Sequence, residues 1–210
     1  MNFKKILIFM LIICIFSINC FSAFALSGYQ GYTVFRDGVG LPLLEITLGN
    51  EDHAAMMYAP YSDYYNILPV IEASGYGHKV DYRSWSQFMG TDNKFHGVYK
   101  PKSAMTDRQR ELALSTAMQL TALDIGYTLL DKILPTEVPW DKIDPTEILN
   151  LRCDGVVQYC YNYNGISVGR NISSRFALLG YVPIGEKPSD LRNKDMVLIT
   201  SKVPNTPSYK

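Results

Sequence analysis

Cys153, second in the stretch Arg152–Gly165, RCDGVVQYCYNYNG, is the residue of this chain best suited to nucleophilic chemistry. The turn-forming pair Asp154 and Gly155 follows it. Val156, Val157, Cys160 and Tyr161 then recur at helical spacing until Asn164-Gly165 supplies a stop. The pattern predicts a buried helix whose N-terminus presents the Cys153 thiol. The start of a helix carries partial positive charge and unpaired N–H groups, which favour a thiolate and stabilise an oxyanion. Taken alone, this helix leaves two readings of Cys153 open: a nucleophile, or a small core residue of the kind free cysteines often form. Cys160, two turns deeper among Val and Tyr, reads as core.

A thiol hydrolase needs a base within hydrogen-bond reach and a third group to orient that base. Three histidines are on offer, and all precede the cysteine. His53 follows the turn Gly49-Asn50-Glu51-Asp52 at the mouth of a strand-type run, where it can face a cleft while Ala54–Met57 pack inward. His78 sits in a Gly-rich turn, where most histidines are solvated. His96 alternates with Phe95 and Val98 as a sheet residue would. Position favours His53 as the base. Glu72 ends the apolar run Leu68-Pro69-Val70-Ile71, a costly place for a carboxylate unless it is paired or reaches the surface. It is either the group that holds the far nitrogen of His53 or an exposed edge carboxylate.

Other chemistries find little support. There is no HExxH, no CxxC and no close His/Cys pair for a metal, no phosphate-binding glycine loop and no GxSxG elbow. The sequence therefore calls for neither metal nor cofactor. Cys153 and Cys160 lie about 10 Å apart along a helix axis, beyond the roughly 7 Å Cα separation a disulfide tolerates, so they are not expected to pair.

These residues must be held by the rest of the 210-residue chain. Met1–Ala25 reads as a secretory signal peptide: Lys4 and Lys5, an apolar run over Ile6–Phe16, and the small-x-small site Ala23-Phe24-Ala25. Residues 26–210 make one domain with a real core. Twenty Lys and Arg face 20 Asp and Glu; without Lys4 and Lys5 the balance is 18 against 20, near −2, which argues against a nucleic-acid partner. No later segment is long and apolar enough to span a membrane. The expected location is secreted or at the cell envelope.

In chain order, strands are expected at Tyr32–Arg36, Leu43–Leu48, Ala54–Tyr58, Ile67–Ala73, Lys79–Tyr82 and Phe95–Lys100, with a Tyr-rich loop at Pro60–Asn66 and a helical turn at Ser84–Phe88. Thr106, three residues before Gln109, forms a capping-box pattern for a helix reaching Asp124 and stopped by Gly126. Pro135–Pro145 reads as a connector, Thr146–Leu149 as a turn, Asn171–Leu179 as a helix and Met196–Thr200 as a final strand. Strands dominate the first half and helices the second, so the fold class is α+β.

The stretch Cys153–Gly165 followed by Ile166-Ser167-Val168 resembles the nucleophile helix of NlpC-type papain-like peptidases and amidases: Cys, a small or polar residue, Gly, an apolar pair, an aromatic-rich turn, then Asn-Gly-Ile. In ordinary members the histidine follows the cysteine. Here none does, and HAAMMYA at His53 with VIEASGYG around Glu72 resembles the circularly permuted, YiiX/YycO-like branch. LDIGYTLLD is similar to its Gly-x-Tyr segment, and PSDLRNKDMVLI to its closing Pro-x-Asp-Leu and strand. The resemblance runs from about Glu51 to Ile199.

It implies a permuted papain-like fold with an antiparallel sheet packed on the nucleophile helix. It further implies Cys153 as nucleophile, His53 as base, Glu72 as orienter, the Cys153 N–H in the oxyanion hole and Tyr127 as an assisting hydroxyl. The implied activity is cleavage of an amide bond, in cell-wall peptides such as those of peptidoglycan, through a thioester. Lipid or acyl transfer on the same fold, and a non-catalytic module binding the wall or a partner, are the alternatives. Two features depart from the family pattern. GYTVFRDGVG replaces the usual Gly-Asp before the first strand, and Asp154 replaces the commoner Ser. An anion there would oppose the thiolate unless Asp154 turns to cap the helix.

Overall fold

Short apolar runs bounded by Gly, Asp and Ser form the strands β1 (Thr33–Asp37), β2 (Asp52–Met57), β3 (Val70–Ala73), β4 (Val80–Arg83) and β5 (Phe95–Pro101). With β9 (Met196–Thr200) they make an antiparallel sheet in the order β4-β3-β2-β1-β5-β9. The computed structural model describes residues 26, 28–38, 52–58, 69–75, 77–127, 132–133, 143–169 and 188–202. The sequence-predicted leader, the strand at 43–48, the loop at 60–66 and the helix at 171–179 lie outside these residues.

Both faces of the sheet are covered. Phe35, Ala54, Met56, Ile71 and Ala73 join a core with α2 (Asp107–Ala122) and α3 (Cys153–Tyr163). Val34, Ala55, Met57, Val70 and Val98 point the other way, against Trp85 and Phe88 of α1 (Trp85–Met89). This explains the run of small and flexible side chains in β2, which is buried throughout and must admit elements on either side.

The helices begin where the sequence marks them. Ser84 with Gln87, and Thr106 with Gln109, form complete capping boxes. Ala113, Leu114, Ala117 and Leu120 of α2 are buried against α3 and the sheet. The helix ends at Ala122, two residues short of the expected Asp124. Leu123 is its C-cap and Asp124 takes the left-handed turn, at φ 61°, a conformation Asp tolerates better than most residues. Gly126 instead opens β6 (Gly126–Tyr127) because Asn150 packs where a Cβ would stand.

A second sheet in the order β6-β8-β7 joins β6, β7 (Lys132–Ile133) and β8 (Ile148–Leu151). The segment expected as a turn at 146–149 is a 3₁₀ turn over Pro145–Glu147, capped by Asp144, that passes straight into β8. β8 then delivers Arg152 and α3. Before β9, Pro188–Asp195 forms α4, a helix absent from the sequence expectation because few of its residues are apolar. The architecture is mixed α+β with a mostly antiparallel sheet. Among the described residues no helix is long and apolar enough to cross a membrane.

Candidate active site

β2 supplies His53 and β3 supplies Glu72. Met56 pairs with Ile71, so one further step of the register sets Glu72 opposite Ala55, on the face that His53 also uses. The two side chains meet: Nε2 of His53 and Oε2 of Glu72 are 2.5 Å apart. Glu72 is 1% exposed and His53 8%, so neither the edge-carboxylate reading of Glu72 nor a solvated histidine applies. Arg83 of β4 reaches toward the second carboxylate oxygen, its Nε 3.9 Å from Oε1, and donates through Nη2 to Ser74 Oγ at 2.9 Å.

Cys153 is the first residue of α3 and is 5% exposed. Its side chain lies close enough to His53 to act on the ring by charge and hydrogen bonding. With Nε2 taken by Glu72, Nδ1 is the ring nitrogen left for the thiol. Burial acts to lower the His53 pKa. The charge of Cys153, the bond to it, and the bond and charge of Glu72 together outweigh burial and raise the pKa to about 9. An imidazolium is therefore the favoured form of His53 beside Glu72 and Cys153. That is the charge state a paired thiol nucleophile requires.

The helix start is arranged to leave this end open. Arg152 is the N-cap and its side chain makes no capping bond. Asp154 does not cap either, contrary to the escape the sequence suggested for it. It lies inside the first turn, fully buried, and accepts from Arg152 Nε and from Arg152 Nη2 at 2.6 Å. Gln158, one turn on, adds Nε2 at 3.1 Å. The carboxylate next to Cys153 is thus bound by a buried guanidinium, so its charge does not stand uncompensated beside the sulfur.

The remaining expected residues separate cleanly. Cys160 is completely buried, unpaired with Cys153, and burial pushes its thiol well above the ordinary range. His78 is exposed in its turn. His96 is partly buried on β5, with Nε2 2.8 Å from Asp37 Oδ1 and 3.2 Å from Asp52 Oδ1, and takes no part in the Cys153 contact. Tyr127 pairs with Leu151 in the parallel β6–β8 ladder, two residues before Cys153, and its side chain packs partly buried on the main core. Among the described residues no group of three or more His, Cys, Asp or Glu is placed to hold a metal ion.

Sequence reasoning missed Arg36. It lies on β1 directly opposite His53, is 5% exposed, and sets its guanidinium 5.4 Å over the Phe88 ring. The available signal was alternation: Val34 and Arg36 share a face, and Val34 is core.

Comparison with family models, curated proteins and solved structures returns no match to this chain.

Proposed function

We propose that this chain is a secreted thiol hydrolase with a permuted papain-like arrangement, cleaving an amide bond in cell-wall peptides. One observation carries the reading: His53 bridges a buried carboxylate, Glu72, and the thiol of Cys153 at the start of a helix. The order His, Glu, Cys along the chain, and the packing of α3 on β2 and β3, support the permuted assignment.

The chemistry follows from the charge state. The Cys153 sulfur adds to the carbonyl carbon, and the oxyanion forms beside the first N–H groups of α3, with the Tyr127 hydroxyl as a further donor. The His53 imidazolium gives its proton to the departing amine, leaving a thioester. Water then attacks the thioester. The now neutral His53 takes the water's proton, the carboxylic acid leaves, and the free sulfur is restored. Glu72 keeps the ring oriented through both half-reactions.

The test is alkylation of residues 26–210 with an iodoacetamide probe at pH 6. Selective labelling at Cys153 that is lost in His53→Ala is the expected result. Equal labelling of the variant would mean that Cys153 is an ordinary thiol, and the hydrolase reading would fail.

A further inference from the structure

We infer that Arg36 is the buried cation that keeps the Cys153–His53–Glu72 set in its charged form, a positioning residue that the sequence did not suggest. This rests on the thiol-hydrolase reading and adds a component to that site.

The placement is specific. Arg36 pairs with His53 across the β1–β2 ladder, and the β1–β5 register shifts between Phe35 and Arg36, an irregularity of the kind that re-aims a side chain beside a functional site. The guanidinium lies over Phe88, whose ring centroid is 5.9 Å from that of His53. Nη1 donates to the Asp37 carbonyl oxygen at 2.5 Å, which fixes the direction of the side chain. Nε is buried and has no hydrogen-bond partner among the described residues. Burying a guanidinium with a donor unpaired is costly unless nearby negative charge offsets it. Burial pushes the Arg36 pKa down, and the charges of Glu72, Cys153 and Asp37 act against it.

The other charged groups around this point are already committed. On β1, the Asp37 carboxylate faces His96 of β5. On β2, Asp52 pairs with His96 and, at 2.9 Å, with Arg192 of α4. On α3, Asp154 is bound by Arg152. On β4, Arg83 stands with its buried Nε 3.9 Å from Glu72 Oε1, and its Nη2 donates to Ser74 Oγ. Arg36 is the buried cation placed opposite His53, and both Glu72 and Cys153 act on it. Removing its charge leaves thiolate and carboxylate flanking a single imidazolium, and the thiol should then hold its proton to higher pH.

The experiment measures the rate of Cys153 alkylation by iodoacetamide between pH 4 and pH 9 in residues 26–210, with circular dichroism melts to verify folding. Wild type, His53→Ala, Arg36→Met, Arg36→Gln and Arg36→Lys are compared. Arg36→Met should move the acidic limb up by about one pH unit, which is about tenfold slower alkylation at a fixed pH on that limb. Arg36→Lys should restore most of the rate. Arg36→Gln keeps length and polarity and decides the matter if the Met variant does not fold; the same shift is expected. A neutral variant that folds and superimposes on the wild-type profile overturns the assignment of Arg36 alone. Wild-type alkylation that is independent of His53 removes the hydrolase reading, and Arg36 with it.

Discussion

Nε2 of His53 and Oε2 of Glu72 lie 2.5 Å apart inside a site that leaves the carboxylate almost no solvent contact. Neither residue would be stable there alone, since an isolated buried carboxylate or imidazolium is strongly disfavoured. Glu72→Gln keeps the shape and removes the charge. The His53 pKa should fall by about 1–3 pH units, as loss of an adjacent opposite charge does, which a histidine NMR titration reads directly. The proposed amide-cleaving activity should drop roughly 10²- to 10⁴-fold, because the ring loses both orientation and imidazolium stabilisation. An unchanged titration would show that Glu72 does not set the charge of His53.

The site also makes stability depend on pH, through Cys153 first and Glu72 second. His53 is raised from its ordinary 6.5 to about 9 in the folded chain, so folding binds its proton more tightly than the unfolded chain does. The contribution is complete below pH 6.5 and is lost as pH rises through 9. Each pH unit between those two values corresponds to about 1.4 kcal/mol. Denaturant melts of wild type should therefore lose up to about 3 kcal/mol over that window relative to His53→Gln. Parallel stability curves for the two proteins would contradict the charged pair.

Arg152 and Asp154 form the second buried ion pair of the site, and here the expected outcome is non-additive. Asp154→Ala should destabilise by about 3–5 kcal/mol, because the buried guanidinium loses its carboxylate. The double variant Arg152→Met/Asp154→Leu removes both charges and should recover most of that loss, as apolar replacements of buried pairs often do. It should also leave the pH profile of Cys153 alkylation in place, since the pair carries no net charge. A shifted profile would mean that Asp154 acts on the thiol after all.

The parts of this site that were legible in the sequence are those set by local pattern. Helical spacing with an Asn-Gly stop marks α3 and the position of Cys153 at its start. The capping box at Thr106 sets the start of α2, and a charged residue ending an apolar strand singles out Glu72. What escaped is set by tertiary partners. Nothing local to Asp154 shows that it would turn to Arg152 instead of capping the helix. The end of α2 differs from expectation because Asp124, not Gly126, adopts the left-handed turn. Arg36 was hidden because a strand arginine is ordinarily exposed, and its burial becomes apparent only once α1 is laid on that face of the sheet.

Gly31 ties α3 to the sheet, and its replacement tests how rigidly Cys153 is held. Its N–H donates to the Met57 carbonyl oxygen at 2.7 Å, and its own carbonyl oxygen accepts from the Tyr161 hydroxyl of α3 at 2.9 Å, so one residue links β2 to the far end of that helix. It adopts φ +74°, and a Cβ there would stand 2.9 Å from Arg110 Cγ and 3.0 Å from the Arg110 carbonyl oxygen. The arginine cannot easily withdraw, because Nε and Nη2 donate to the carbonyl oxygens of Gln30 and Gly28 and its guanidinium is 4.0 Å over the Tyr32 ring. Gly31→Ala therefore combines a left-handed backbone cost of about 1–2 kcal/mol with a backbone clash, and should destabilise by about 2–4 kcal/mol in total. Because the strain falls on the contact that seats α3, the folded variant should also alkylate at Cys153 more slowly at pH 6. A stability loss without any change in that rate would show that the Cys153–His53 geometry is fixed by β2 and β8 alone.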